Sequence, residues 1–129
     1  MIKILVVAAG GAIGAMLRHL TNLISIKYFG SSGIYTGTVF ANIIGCFFAG
    51  FALAYFSHTD VVAENLRHFL TIGILGSLTT FSTFASEAFQ LIRKPGKSTF
   101  LYLFYQIVIT FVALLSGYGI ALWIFGGFS

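Results

Sequence analysis

From Ile2 to Phe125 the sequence runs as four long apolar stretches, parted only where charge, Gly, Pro, Ser or Asn gather in "KYFGSSGIY", "SHTDVVAEN" and "RKPGKS". A helix crossing the hydrocarbon of a bilayer needs about 20 mostly apolar residues, because every backbone N–H and C=O must find its partner inside the segment. Four stretches of that length predict an all-α membrane protein with four transmembrane helices. The expected spans are Ile2 to Ile26, Tyr35 to Ser57, Leu66 to Ile92 and Ser98 to Phe125. Their connections are short, so neighbouring helices run antiparallel. Only 8% of the residues are charged, against roughly 25% in soluble domains. Residues 1–129 hold one four-helix transmembrane domain, with no room for a second.

The opening "MIKILVVAAGGAIGAML" has the look of a secretory signal, but the apolar pattern continues through "RHLTNLISI" without a small-residue cleavage site, so it reads as a retained first span. The seven Lys and Arg residues sit at the ends of apolar stretches and build no basic face, which sets nucleic acid aside as a partner. Lys27, Arg93, Lys94 and Lys97 lie in the first and third connections, against Lys3 and Arg67 on the other side. The positive-inside rule therefore places the first and third connections in the cytoplasm and both termini outside. Cys46 is the single cysteine, so no disulfide framework and no zinc site can be built within one chain.

Small residues recur one helical turn apart: Gly10 and Gly14, Gly11 and Ala15, Gly45 and Ala49, Gly73 and Ser77. Lipid tails are as apolar as leucine, so helices in a bilayer associate by close backbone approach at such positions. Four short helices with this many hydroxyls would still turn some of them to lipid, where unpaired polar groups are costly. The chain is therefore expected to oligomerise.

The third stretch carries "GSLTTFSTFASE", in which Ser77, Thr79, Thr80, Ser82, Thr83 and Ser86 crowd around two phenylalanines in mid-span. Together with Gly73 and Gly76 they predict a helix broken near Gly76 to Thr80; a plain Gly–Ser kink is the alternative. Irregular backbone at membrane depth persists only when buried in protein or lining a wet cavity. Its freed carbonyls are hard oxygen ligands of the kind that discontinuous helices offer to sodium ions. Phe81 and Phe84 are three apart and share a face. Their positive ring edges favour an anion weakly, as conduction requires; ordinary packing is the other reading. Asn42, the lone amide in the second helix, either donates to a passing anion or bonds across helices. Glu87 is the one acid inside a span, and Arg18 either pairs with it, attracts anions, or snorkels to the interface. His19 and His68 lie near helix ends without a second metal ligand at the usual spacing. No catalytic triad, phosphate loop or carboxylate pair is present, so no enzymatic activity is expected.

The stretches "GGAIGAMLR", "GTVFANIIG" and "GILGSLTTFSTFASE" resemble, in order and spacing, the signatures of the small fluoride channels called Fluc or CrcB. The resemblance covers nearly the whole chain. It implies an antiparallel, dual-topology dimer of inverted chains in the cell membrane of a bacterium, passively exporting toxic fluoride through two pathways. By the same resemblance, the carbonyls of Gly76 and Thr79 ligate a central structural Na+, repeated from the partner. Phe81, Phe84 and Asn42 line the fluoride pathway, Ser82 and Thr83 stand near its polar track, and Glu87 and Arg18 lie toward its ends. The fourth helix departs from the pattern by offering Ile109, Val112 and Ala113 where members carry small hydroxyls, with Gln106, Thr110 and Ser116 nearby. The family includes homodimers and heterodimers of two unlike inverted chains, and the modest charge bias leaves both open. The alternatives are a small dual-topology, proton-coupled drug exporter, which needs an acid in the first helix where this chain has Arg18, and a non-transporting membrane subunit.

Overall fold

A computed structural model describes residues 1–30, 35–59, 62–93 and 97–126, without the side chains of Lys97 and Ser98. Among these residues, four helices are long and apolar enough to cross a membrane: Ile2–Phe29, Gly37–His58, Glu64–Arg93 and Thr99–Phe125. They differ from the expected spans by a few residues at the ends. Lys94, one of the counted cations, falls outside the described residues, as do parts of all three connections.

The ends are set by local chemistry. The first helix stops at Gly30, whose φ of 83° is left-handed backbone that glycine adopts without a Cβ penalty. The second starts at Thr36, whose hydroxyl accepts from Val39 N at 3.4 Å. At its far end, Arg67 Nη2 donates to the carbonyls of Phe56 at 2.8 Å and Thr59 at 2.9 Å, satisfying groups a helix C-terminus leaves free. The Arg67 guanidinium also lies over the Phe56 ring, 5.3 Å from its centre. Arg67 is thus a helix-end clasp as well as a membrane-flanking charge.

Glycines decide which helices touch. A Cβ on Gly10 would stand 2.5 Å from Phe69 O, and one on Gly73 would stand 2.9 Å from Gly10 Cα. Gly14 faces Ile74 O and Ser77 in the same way, so the first and third helices meet backbone to backbone. The small-residue pairs Gly10/Gly14 and Gly73/Ser77 are therefore one interface. A second interface joins the second and fourth helices, with Gly50 against Leu114 O and Gly117 against Phe47 O. Substitution separates the two kinds of glycine. Gly50→Ala is expected to lower the thermal midpoint of purified protein by the equivalent of about 1–3 kcal/mol, the usual cost of overpacking. Gly119, which has nothing within 4 Å of its would-be Cβ, is expected to accept Ala unchanged or with a gain of up to about 1 kcal/mol.

Two stretches widen to π-type hydrogen bonding, Phe69–Leu75 in the third span and Tyr105–Ile109 in the fourth. Further along the third span the helix ends at Leu78, Thr79 is extended with ψ of 152°, and helix resumes at Phe81. The wide turn in the fourth span has a consequence for facing. In a regular helix, position i+8 drifts about 80° from the line of position i. Here Tyr102, Gln106 and Thr110 are all buried, at 0%, 7% and 9% exposure. These three form the polar side that the fourth helix turns toward the rest of the chain, while Val112 is exposed and Ile109 and Ala113 are partly buried.

Candidate functional site

Many hydroxyls in this chain hide by bonding back to a carbonyl four residues earlier. Thr21, Thr71, Thr79 and Ser116 do so at 2.7 to 3.0 Å. Others do not. Thr80, Ser82 and Thr83 bring their hydroxyls together, with Thr80 Oγ1 3.2 Å from both neighbours, and Thr83 N donates to Thr80 Oγ1 at 3.3 Å. Thr80 is buried, while Ser82 and Thr83 are exposed.

The backbone of Thr80 is held by an amide. Its N–H donates to Asn42 Oδ1 at 2.8 Å, and its carbonyl accepts from Asn42 Nδ2 at 3.2 Å. Because Thr80 N–H turns to Asn42, it makes no bond to the carbonyl of Gly76, its usual helical partner four residues back. Gly76 is exposed. Asn42 Nδ2 also donates to Gln106 Oε1 at 2.9 Å, and Gln106 Nε2 donates to the Tyr102 hydroxyl at 3.3 Å.

Tyr102 in turn donates to Glu87 Oε2 at 2.6 Å, and Glu87 accepts further bonds from Thr36 at 2.9 Å and Thr38 at 2.7 Å. Two of these three hydroxyl donors, Thr36 and Thr38, stand at the start of the second helix and give this carboxylate the favourable end of the helix dipole. An unbroken hydrogen-bonded line therefore runs Glu87, Tyr102, Gln106, Asn42, Thr80. Arg18 is no partner in it. Glu87 and Arg18 line one cavity of about 280 Å³ together with His19, Asn22, Thr38 and Thr83, and among the described residues the one salt bridge is Lys3–Glu64 at 2.7 Å.

Beside the line stand the rings. Phe84 stacks on Tyr102, with centroids 6.0 Å apart and planes 17° off parallel, and Phe81 meets Phe84 at 5.5 Å and 57°. Phe84 is partly buried and Phe81 is 78% exposed. Every residue singled out from sequence is thus placed: Asn42, Ser82, Thr83, Phe81, Phe84 and Glu87 cluster around Thr80 and Tyr102, Arg18 sits in the cavity, and Gly76 and Thr79 flank the end of the helical segment. Tyr102, Thr36 and Thr38 were not foreseen. The spacing of four from Tyr102 to Gln106 to Thr110 is the signal that could have found Tyr102.

The family model described as CrcB-like protein, Camphor Resistance (CrcB), matches residues 5–118 of this chain. The chain belongs to the CrcB-like family. Its curated relatives include a fluoride-specific ion channel FluC from Aquifex aeolicus, 44% identical over 95 residues, which are 74% of this chain and 76% of the relative. Another, of the same name from Shewanella denitrificans, is 45% identical over 96 residues, covering 73% of this chain and 74% of the relative. A third, also so named, from Clostridium perfringens, is 40% identical over 90 residues, or 70% of each chain. CrcB-like membership and four spanning helices make this chain a multi-pass membrane protein.

Proposed function

We propose that this chain is a subunit of a fluoride-selective channel in the plasma membrane of a bacterium, releasing fluoride from the cytoplasm by passive conduction. The observation that carries the reading is the line of O–H and N–H groups beside Phe81 and Phe84, leading from the cavity of Arg18 and Glu87 to Asn42 and Thr80. The names of the relatives supply the ion. Hydrogen fluoride is a neutral weak acid that crosses lipid unaided and ionises in a near-neutral cytoplasm, so the trapped anion needs its own way out. Fluoride is small and strongly hydrated, and a pathway must replace its water by closely spaced donors while holding it weakly. A channel of this kind does no covalent chemistry and is not an enzyme.

The active unit is an inverted dimer, of two copies or of this chain with a homologous one. Three features support it. Gly76 is exposed, Phe81 is 78% exposed, and an apolar groove of about 500 Å³ lined by Leu17, Ile44, Phe48, Leu70, Ile74 and Leu78 adjoins the same helical end. In such a dimer two narrow passages flank the third spans, which read as broken in mid-membrane at Thr79 and Thr80.

A structural Na+ fits the carbonyls of Gly76 and Thr79, since the Gly76 oxygen lacks its helical partner and Thr79 leaves the helix. Two oxygens from each chain would complete its ligands, and the ion would supply positive potential for the anion.

Purified chain in liposomes tests the reading. Fluoride release without a proton gradient is expected, and it becomes several-fold slower in sodium-free buffer. Drug-driven proton movement would favour an exporter, and neither flux an accessory subunit. Full release without sodium would remove the ion, and a monomer inactive until a homologous chain is added would make the dimer a heterodimer.

A further inference from the structure

Both hydrogens of Asn42 Nδ2 are taken. One goes to the Thr80 carbonyl at 3.2 Å and the other to Gln106 Oε1 at 2.9 Å, while Asn42 Oδ1 accepts from Thr80 N at 2.8 Å. The two bonds to Thr80 clasp the amide on both edges and fix its plane without help. Gln106 is therefore not what orients Asn42; it is the acceptor for the one N–H that the clasp leaves over. Its own direction is settled by donor and acceptor matching, because Asn42 presents a nitrogen and the Tyr102 hydroxyl receives Gln106 Nε2 at 3.3 Å. Gln106 is 7% exposed, so little water reaches it.

We infer that Gln106 is a positioning residue for anion passage: its Oε1 stands in for fluoride at the N–H of Asn42 that the clasp leaves over, and yields when the anion arrives. The inference rests on the channel reading above. A buried N–H with no partner is costly and would seize an anion, whereas conduction needs a site that is left as easily as it is entered. A neutral carbonyl oxygen meets that need. Hydrogen bonds to an anion are roughly twice as strong as neutral ones, so fluoride displaces Gln106 Oε1, and the returning carbonyl helps to expel it.

Gln106→Leu, close in volume, removes the acceptor. Initial fluoride release from vesicles loaded over a range of concentrations is expected to half-saturate at about fivefold lower fluoride, the size of one net hydrogen bond, with a lower maximal rate. Gln106→Met should do the same. A residue that merely packs would change the fraction of active vesicles and leave half-saturation where it was, and that result in both variants would overturn the inference. If neither variant assembles, the wild-type chain decides, because it has only two glutamines, Gln90 and Gln106. With ¹⁵N-labelled glutamine side chains, and the exposed Gln90 assigned by Gln90→Glu, added fluoride should move the Gln106 amide signal. An unmoved signal in conducting protein would overturn the inference. Wild-type vesicles that release no fluoride, either alone or with a homologous chain added, would sink the channel reading itself, whereas normal wild-type release with unshifted variants would sink only the role of Gln106.

Discussion

Asn42→Asp is expected to abolish fluoride release while leaving a chain that still inserts. The substitution keeps the size of the side chain and removes both of its donors. The Thr80 carbonyl and Gln106 Oε1, at 3.2 and 2.9 Å from Asn42 Nδ2, would then face a carboxylate oxygen instead of N–H groups. One bond survives, since Thr80 N can still donate to the other oxygen as it does now at 2.8 Å. The larger effect falls on the ion. Two like charges 4 Å apart repel by about 4 kcal/mol at an effective dielectric constant near 20, which is roughly a thousandfold in rate. Release measured with a fluoride electrode should fall to the level of protein-free vesicles, with dimer content followed by size-exclusion chromatography. Wild-type release by an assembled Asn42→Asp dimer would take the amide out of the path.

The number of spans, and their ends to within three residues, could be read from the sequence, because the bilayer sets a minimum apolar length for every helix that crosses it. Gly10, Gly14, Gly73 and Ser77 were legible as positions of close helix approach, but not that the first two meet the last two. Gly50 against Leu114 and Gly117 against Phe47 were not, although they form an equally close interface. A glycine in a uniformly apolar helix gives no sign of which neighbour it faces. The fourth span has the same difficulty, since lipid outside is as apolar as protein inside and hydropathy gives no facing. Its polar side became definite only with the wide turn at Tyr105–Ile109, which brings Tyr102, Gln106 and Thr110 into line. Among the crowded hydroxyls, composition cannot tell Thr79, bonded back to Leu75 O at 3.0 Å, from Thr80, held by Asn42. Glu87 was legible as the one acid inside a span, and of the three readings open for Arg18 the pairing with Glu87 is absent from the structure: the three hydroxyl donors to Glu87 come from Thr36, Thr38 and Tyr102, scattered over two other helices.

Phe84→Ile is expected to cut fluoride release ten- to a hundredfold with the dimer intact, and Phe81→Ile to act less strongly. Phe84 takes part in two aromatic contacts, stacked on Tyr102 at 6.0 Å and inclined to Phe81 at 5.5 Å. At about 0.5–1.5 kcal/mol each beyond their buried area, together they come to about 1–3 kcal/mol, roughly five- to 160-fold in rate, which brackets that loss. Isoleucine keeps the apolar bulk but has neither a flat face for Tyr102 nor a positive edge for an anion. Tyr102 would lose its platform while its hydroxyl stays tied to Glu87 at 2.6 Å, so the disturbance reaches Gln106 and, through its Oε1, the Nδ2 donor of Asn42. Phe81 has one ring neighbour and is 78% exposed in a single chain, so in the proposed dimer what it contributes depends on the partner. The two substitutions therefore separate: Phe84→Ile impairs any dimer containing it, whereas the cost of Phe81→Ile varies with the identity of the opposing chain. Equal and undiminished release by both variants would leave the rings as packing alone, and the O–H and N–H line would have to carry fluoride without them.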